Sequence, residues 1–140
     1  MVDVLYTAAA TARGDGRNGE VTSSDGLIDE QLAVPKEMGG PGGSRTNPEQ
    51  LFAAGYSACF HGALQLVARQ ANVRLSGSEV TAQVGIGKDG DAFALKVKLV
   101  AHLPGLEQGK ANELAAQAHQ VCPYSRATRG NIEVEVAATT

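Results

Sequence analysis

A run of apolar and small residues over positions 51–67 restricts the fold more than any other feature of this chain. These residues occupy every face of a helix, a pattern that a surface helix cannot carry and that an enclosed helix requires. Asn47 followed by Pro48 predicts where the helix begins, because asparagine caps helices and proline fits their first turn. Polar residues within the run and Arg69 after it make a bilayer span unfavourable. The run therefore predicts the central helix of a globular protein, with Cys59 in its middle.

Alternating apolar residues predict β-strands on both sides of this helix. The predicted strands cover residues 2–6, 20–24 and 27–34 before it, then 80–86, 93–103 and 132–136 after it, with a second helix over 114–122 that Pro123 ends. The resulting order, βββ-α-ββ-α-β, describes an α+β fold whose sheets bury one face against helices. A chain of 140 residues is short for two domains, so we expect one domain over residues 1–140.

Two loops interrupt the amino-terminal half. Residues 13–19 are rich in glycine, aspartate and asparagine and predict a turn that holds both Arg13 and Arg17. Residues 35–46 contain too much glycine and proline for regular structure and predict a long mobile loop.

Composition and charge exclude several classes of function. The net charge is -3 and aromatic residues make up 4% of the chain, which leaves little to attract phosphate backbones or stack on bases. Two cysteines and scattered histidines do not form a zinc-ligand pattern, so no metal is expected. The amino terminus lacks the basic region of a signal peptide, and a chain of this size needs no disulfide staples. We therefore expect a cytoplasmic protein with reduced thiols and no nucleic-acid partner.

Cys59 and Cys122 are open to two interpretations when taken alone. Most buried cysteines are small packing residues, and apolar surroundings suppress the reactive thiolate. A cysteine–histidine hydrolase has no local pattern to support it, because His61 is two residues from Cys59 and projects from another face of the helix. The residues by themselves leave both packing and reactivity open for the two thiols.

Two sequence blocks resemble a known family. The first is TNPEQLFAAGYSACF at residues 46–60, and the second is VCPYS at 121–125 followed by ATRGNI at 127–132. The VLYTA start at residues 4–8 and the glycine-rich loop match as well. Together they resemble the organic hydroperoxide resistance family, within the larger group that includes the osmotically inducible peroxidases.

The resemblance implies a thiol peroxidase that reduces organic hydroperoxides to alcohols. Cys59 matches the peroxidatic cysteine, Cys122 the resolving cysteine, Glu49 the acidic partner and Arg17 the active-site arginine, although Arg13 lies close by. The implied cycle passes through a Cys59 sulfenic acid and a Cys59–Cys122 disulfide. No cofactor is expected to be bound, and the external reductant would be a dithiol, either dihydrolipoamide or a lipoylated protein.

The resemblance also implies an intertwined homodimer, with antiparallel-rich sheets around central helices and an apolar pocket at the subunit interface. Charge chemistry agrees with the implied roles. A mid-helix thiol gains nothing from the helix dipole, so Cys59 needs a permanent cation such as Arg17, which Glu49 would orient through a bidentate pair. Ten residues separate Glu49 from Cys59, about 15 Å along a helix, so we expect Glu49 to serve the cysteine of the other subunit.

Two other functions remain open. An osmotically inducible peroxidase would share the cysteines and the fold but use peroxides more broadly. A non-enzymatic lipid-binding protein would use the apolar cavity and keep both cysteines as packing residues.

Overall fold

The computed structural model describes residues 1–140, which form two compact units over residues 1–51 and 52–140. The elements are β1 Ala10–Arg13, β2 Glu20–Ser23, β3 Asp29–Gln31, α1 Pro48–Gln70, β4 Glu79–Asp89, β5 Ala92–His102, α2 Gln108–Val121, α3 Pro123–Thr128 and β6 Glu133–Thr139. The predicted α+β class is confirmed, with one helix more than expected.

The first unit contains a three-stranded antiparallel sheet in the order β1-β2-β3. The prediction of a strand over residues 2–6 was wrong, because β1 begins at Ala10 and the earlier residues have no neighbouring strand to satisfy their backbone groups. The strand predicted over residues 27–34 is present but shorter, since only Asp29–Gln31 pairs with β2.

The two predicted loops contain short ordered turns. A single 3-10 turn over Gly16–Asn18 carries Arg17, whereas Arg13 ends β1 and pairs with Glu20. Lys36–Met38 forms a second 3-10 turn that ends at Gly39, whose φ of 85° favours glycine. The two arginines predicted to share one loop therefore lie in different elements, Arg13 in β1 and Arg17 in the turn.

The second unit contains the sheet β4-β5-β6. The β4–β5 hairpin matches its prediction, with Glu79 opposite His102 at one end and Asp89 opposite Ala92 at the other. β6 pairs parallel with β5, which requires a crossover, and α2 with α3 supply it. The core between this sheet and the helices contains Tyr56, Phe60, Ala63, Leu64, Val67, Ala68, Val97, Leu99, Ala101, Leu103, Ala111, Leu114, Ala115, Ala118 and Cys122.

The predicted helix is present as α1, but only one of its faces is buried within this chain. Its start is capped as expected, because the Gln50 amide donates to Oδ1 of Asn47 at 2.8 Å. By length and composition alone α1 could cross a membrane. Six of its residues, from Tyr56 to Ala68, are buried against the core of the second unit.

Candidate active site

The two cysteine sulfurs lie in contact. Cys59 is at the middle of α1 and half-buried, whereas Cys122 is fully buried and connects α2 to α3. Cys122 Sγ donates a weak hydrogen bond to Cys59 Sγ at 3.7 Å. Both thiols are free, and the separation is short enough for a disulfide after a small local shift.

The environment of Cys59 opposes ionisation of its thiol. Burial raises the pKa of Cys59, and the neighbouring thiol of Cys122 raises it further. The backbone amide of Tyr124 acts in the other direction by hydrogen bonding to the sulfur. The effect of burial is the largest of these, so Cys59 needs an additional positive charge to become a thiolate near neutral pH.

Tyr124 packs against α1 one turn before Cys59. Its ring lies 5.8 Å from the Tyr56 ring in a tilted arrangement. It also covers Gly55, where an added Cβ would approach the Tyr124 hydroxyl to 3.2 Å. The absence of a side chain at Gly55 thus lets Tyr124 lie close to the helix that carries Cys59.

Arg17 and Glu49 form the bidentate ion pair that was expected. Nη1 and Nη2 of Arg17 donate to Oε2 and Oε1 of Glu49 at 3.0 and 2.9 Å. Hydrogen bonding to Arg17 lowers the pKa of Glu49, against the opposing effect of burial. The Glu49 side chain is 12% exposed and that of Arg17 41%. Glu49 therefore stays ionised and fixes the direction of the guanidinium group, while Arg13 takes no part in the pair.

His61 lies on α1 and hydrogen bonds through Nε2 to the Ser78 hydroxyl at 2.9 Å. This contact supports the interpretation of His61 as a packing residue. Three cavities of about 530, 390 and 360 Å³ are lined by neither cysteine. The apolar pocket expected at a subunit interface stays a prediction.

A group of polar side chains near the thiols was not predicted from the sequence. Tyr56 lies in the core, and its hydroxyl hydrogen bonds to Ser125 and Thr128 of α3. Ser125 in turn contacts His119 of α2. No local pattern pointed to this group, because Ser125 and Thr128 stand in a segment that also contains Arg126 and Arg129.

The fold and the site together describe an α+β protein with a pair of contacting thiols. One sulfur lies on α1, and the other lies where α2 meets α3. A family model described as OsmC-like protein matches residues 40–137. That match covers more than half of the chain, which belongs to the OsmC-like family.

Relatives with assigned names agree over nearly the whole chain. An organic hydroperoxide resistance protein of Xanthomonas axonopodis pv. citri is 52% identical over 132 residues, which are 94% of this chain and 92% of that protein. The crystal structure of organic hydroperoxide resistance protein OsmC from Legionella pneumophila has a TM-score of 0.92 at 47% identity, with 99% and 100% of the two chains covered. OhrB of Bacillus subtilis has a TM-score of 0.88 at 46% identity, with 97% and 100% covered.

These similarities confirm the family resemblance drawn from the two sequence blocks. Organic hydroperoxide resistance proteins are a peroxidase-type family with an antioxidant role in the stress response. The prediction of an enzyme is thereby confirmed at the level of the family.

Proposed function

We propose that this chain is a thiol-dependent peroxidase that reduces organic hydroperoxides, both alkyl and fatty acid, to alcohols. One observation carries the proposal: a buried Cys122 sulfur lies 3.7 Å from the half-buried sulfur of Cys59. Packing alone does not require two thiols in contact, whereas a peroxidase with a resolving cysteine does. The names of the relatives support the same substrate class.

The reaction divides into two steps. The Cys59 thiolate attacks the distal oxygen of the hydroperoxide, the O–O bond breaks, and the alkoxide leaves as alcohol after taking a proton. Cys59 becomes a sulfenic acid. The Cys122 sulfur then attacks the Cys59 sulfur and forms the S–S bond, and the hydroxyl leaves with the Cys122 proton as water.

Activation of Cys59 is assigned to Arg17, which together with Glu49 would be supplied by the other subunit of the dimer. Burial raises the pKa of the Cys59 thiol, and an arginine supplies a charge that does not titrate near neutral pH. Glu49 orients the guanidinium group through the bidentate pair. Because this pair also neutralises part of the charge, its main contribution is direction.

An external dithiol would return the enzyme to its reduced form. Two successive thiol–disulfide exchanges reduce the Cys59–Cys122 disulfide and oxidise the dithiol to its own disulfide. The family resemblance favours a lipoyl reductant, either dihydrolipoamide or a lipoylated protein. No bound cofactor is needed in this cycle.

A cytoplasmic homodimer is proposed for the working enzyme. The apolar residues Met1, Val2, Val4, Leu5, Tyr6, Leu27 and Ile28 of the first unit are each at least 45% exposed. Several large apolar side chains exposed on one unit are typical of an interface, and a second copy of the chain that intertwines with the first would cover them. The two free thiols agree with a reducing compartment.

Steady-state kinetics test the proposal directly. The reduced protein would be assayed with an alkyl hydroperoxide and with hydrogen peroxide, each with dihydrolipoamide, thioredoxin or glutathione as reductant. An apolar pocket contributes about 25 cal/mol for each Å² of substrate surface that it buries, so we expect the organic peroxide to be preferred. Dihydrolipoamide should give the fastest recycling.

The other outcomes identify the alternatives. Similar kcat/KM for both peroxides would favour an osmotically inducible type of peroxidase. No peroxide-dependent loss of the Cys59 thiol, together with binding of a fatty acid, would favour the lipid-binding protein and exclude the proposal.

A further inference from the structure

A series of buried side-chain hydroxyls connects α1 to the segment that carries Cys122. Tyr56 Oη lies 2.8 Å from Ser125 Oγ and 3.0 Å from Thr128 Oγ1. Ser125 Oγ also lies 2.7 Å from Nδ1 of His119. Tyr56 and Ser125 are fully buried, and Thr128 is 6% exposed. We call these four residues the hydroxyl network.

The donor of each hydrogen bond in the hydroxyl network follows from the number of protons that each side chain can donate. Thr128 Oγ1 donates to the Ser125 carbonyl at 3.3 Å, and each hydroxyl has one proton to donate. Tyr56 therefore donates to Thr128, and Ser125 donates to Tyr56. His119 must then donate from Nδ1 to Ser125. Every member has a partner, and the structure contains no buried side-chain polar atom without one.

A fully satisfied network in the core specifies geometry more than it adds stability. Apolar side chains could fill the same space without the cost of removing hydroxyls from water. Hydrogen bonds at 2.7–3.0 Å instead fix the distance and direction between the helices they join. The network thus holds α3 in one position on α1.

That position determines where the sulfurs lie. Tyr56 is three residues before Cys59 on α1, and Ser125 is three residues after Cys122, so each anchor lies about one helical turn from a sulfur. Arg129 also donates to the His119 carbonyl at 3.0 Å and connects the end of α3 to α2. The segment around Cys122 is consequently held on both sides.

We propose that Tyr56 is a positioning residue for disulfide formation, which holds Cys122 beside Cys59 through its hydrogen bonds to Ser125 and Thr128. The inference rests on the proposed function, because it concerns the second step of that reaction. In this step the S–S bond forms, the S–O bond of the sulfenic acid breaks, and water leaves with the proton of Cys122. The sulfurs must approach by about 1.7 Å, from 3.7 Å to the ~2.05 Å of a disulfide.

The test uses Tyr56→Phe, which loses only the phenol oxygen, and measures oxidation of Cys59 and formation of the disulfide separately. Reduced protein would receive one equivalent of an alkyl hydroperoxide. Dimedone trapping would follow the sulfenic acid, and non-reducing mass spectrometry would follow the disulfide. We expect Cys59 oxidation within about twofold of wild type. Disulfide formation should slow by about tenfold, equivalent to ~1.4 kcal/mol and within the range for a buried hydrogen bond.

Two sets of controls isolate the hydroxyl. Ser57→Ala removes a hydroxyl from the next residue of α1, but this one bonds only to the Ala54 carbonyl of its own helix, at 3.0 Å. Its disulfide rate should equal that of wild type. Thr128→Val removes the network hydroxyl while keeping the side-chain shape, and Thr128→Ser keeps the hydroxyl. The valine variant should be slow and the serine variant should recover most of the rate.

The outcomes distinguish this inference from the proposed function. If wild-type Cys59 forms no sulfenic acid with an alkyl hydroperoxide, the proposed function fails. If it does and Tyr56→Phe closes the disulfide at the wild-type rate, only the positioning role is overturned. Equal rates for Thr128→Val and Thr128→Ser would also overturn it, and this pair decides the matter if Tyr56→Phe does not fold.

Discussion

Gly55 lets Tyr124 lie against α1, and Gly55→Ala tests how closely. The new Cβ would lie 3.2 Å from the Tyr124 hydroxyl oxygen and 3.3 Å from Cε2 of its ring. Carbon atoms pack best at about 3.5–4.0 Å, so the ring must move outward by a few tenths of an ångström. Tyr124 is 41% exposed, and it has room to make this movement.

Two opposing effects determine how Gly55→Ala changes the free energy of unfolding. Alanine stabilises a helix interior by roughly 0.5–1 kcal/mol relative to glycine. Crowding of Tyr124 should cost about 1 kcal/mol, the low end for an overpacked site, because the ring is partly exposed. We therefore expect a net change in the free energy of unfolding close to zero.

Gly62→Ala is the matched control on the same helix. Apart from its chain neighbours and the nearby backbone of α1, no atom lies within 4 Å of a Cβ at Gly62. The full helix gain of roughly 0.5–1 kcal/mol should therefore appear, about 3 °C in Tm. The two variants add the same methyl group to α1, and they differ in whether Tyr124 is displaced.

Titration of the Cys59 thiolate by its ultraviolet absorbance provides the functional assay. The backbone amide of Tyr124, not its ring, lowers the pKa of Cys59, so an outward shift of the ring alone should leave the thiol titration unchanged in both variants. Equal stabilisation by both alanines would refute the close contact between Gly55 and the Tyr124 ring.

Three further predictions concern the cysteines and the ion pair. Cys122→Ser should complete one rapid oxidation of Cys59 and then fail to recycle, whereas Cys59→Ser should not react with peroxide. Stopped-flow measurement of peroxide loss distinguishes the two variants. Equal loss of the first turnover in both would contradict the assigned roles. Arg17→Ala should raise the Cys59 pKa and slow oxidation far more than Arg13→Ala, which thiolate titration of both variants would show; a larger effect at Arg13 would reassign the cation. Pairing with Arg17 lowers the pKa of Glu49, so the ion pair stabilises the folded protein above the ordinary glutamate pKa. This contribution to the free energy of unfolding is lost as pH falls through the lowered value. Urea denaturation across this pH range should show an acid sensitivity that Arg17→Ala lacks.

Local sequence patterns were sufficient for the β4–β5 hairpin and for α1. The β4–β5 hairpin alternates along its length and α1 carries its own cap, so each element was predictable without knowledge of its neighbours. The strand expected over residues 2–6 has the same alternation but no strand beside it, and pairing depends on tertiary context that a local pattern does not contain.

Proline at position 123 has two possible meanings. The sequence pattern predicted that Pro123 ends a helix, which is correct for α2. Proline also fits the first position of the next helix, α3. The pair between Arg17 and Glu49 joins residues 32 positions apart, which no local period predicts. Only the family resemblance suggested it.

The unequal burial of the two sulfurs determines which of them the reductant attacks. Cys122 is fully buried and Cys59 only partly, so an incoming thiolate can approach the disulfide only from the Cys59 side. Exchange requires attack along the S–S axis at the accessible sulfur. The mixed disulfide with the reductant should therefore form on Cys59, with Cys122 as the leaving group. The same sulfur would then accept oxygen from the peroxide and electrons from the reductant, and Cys122 would contact neither of them.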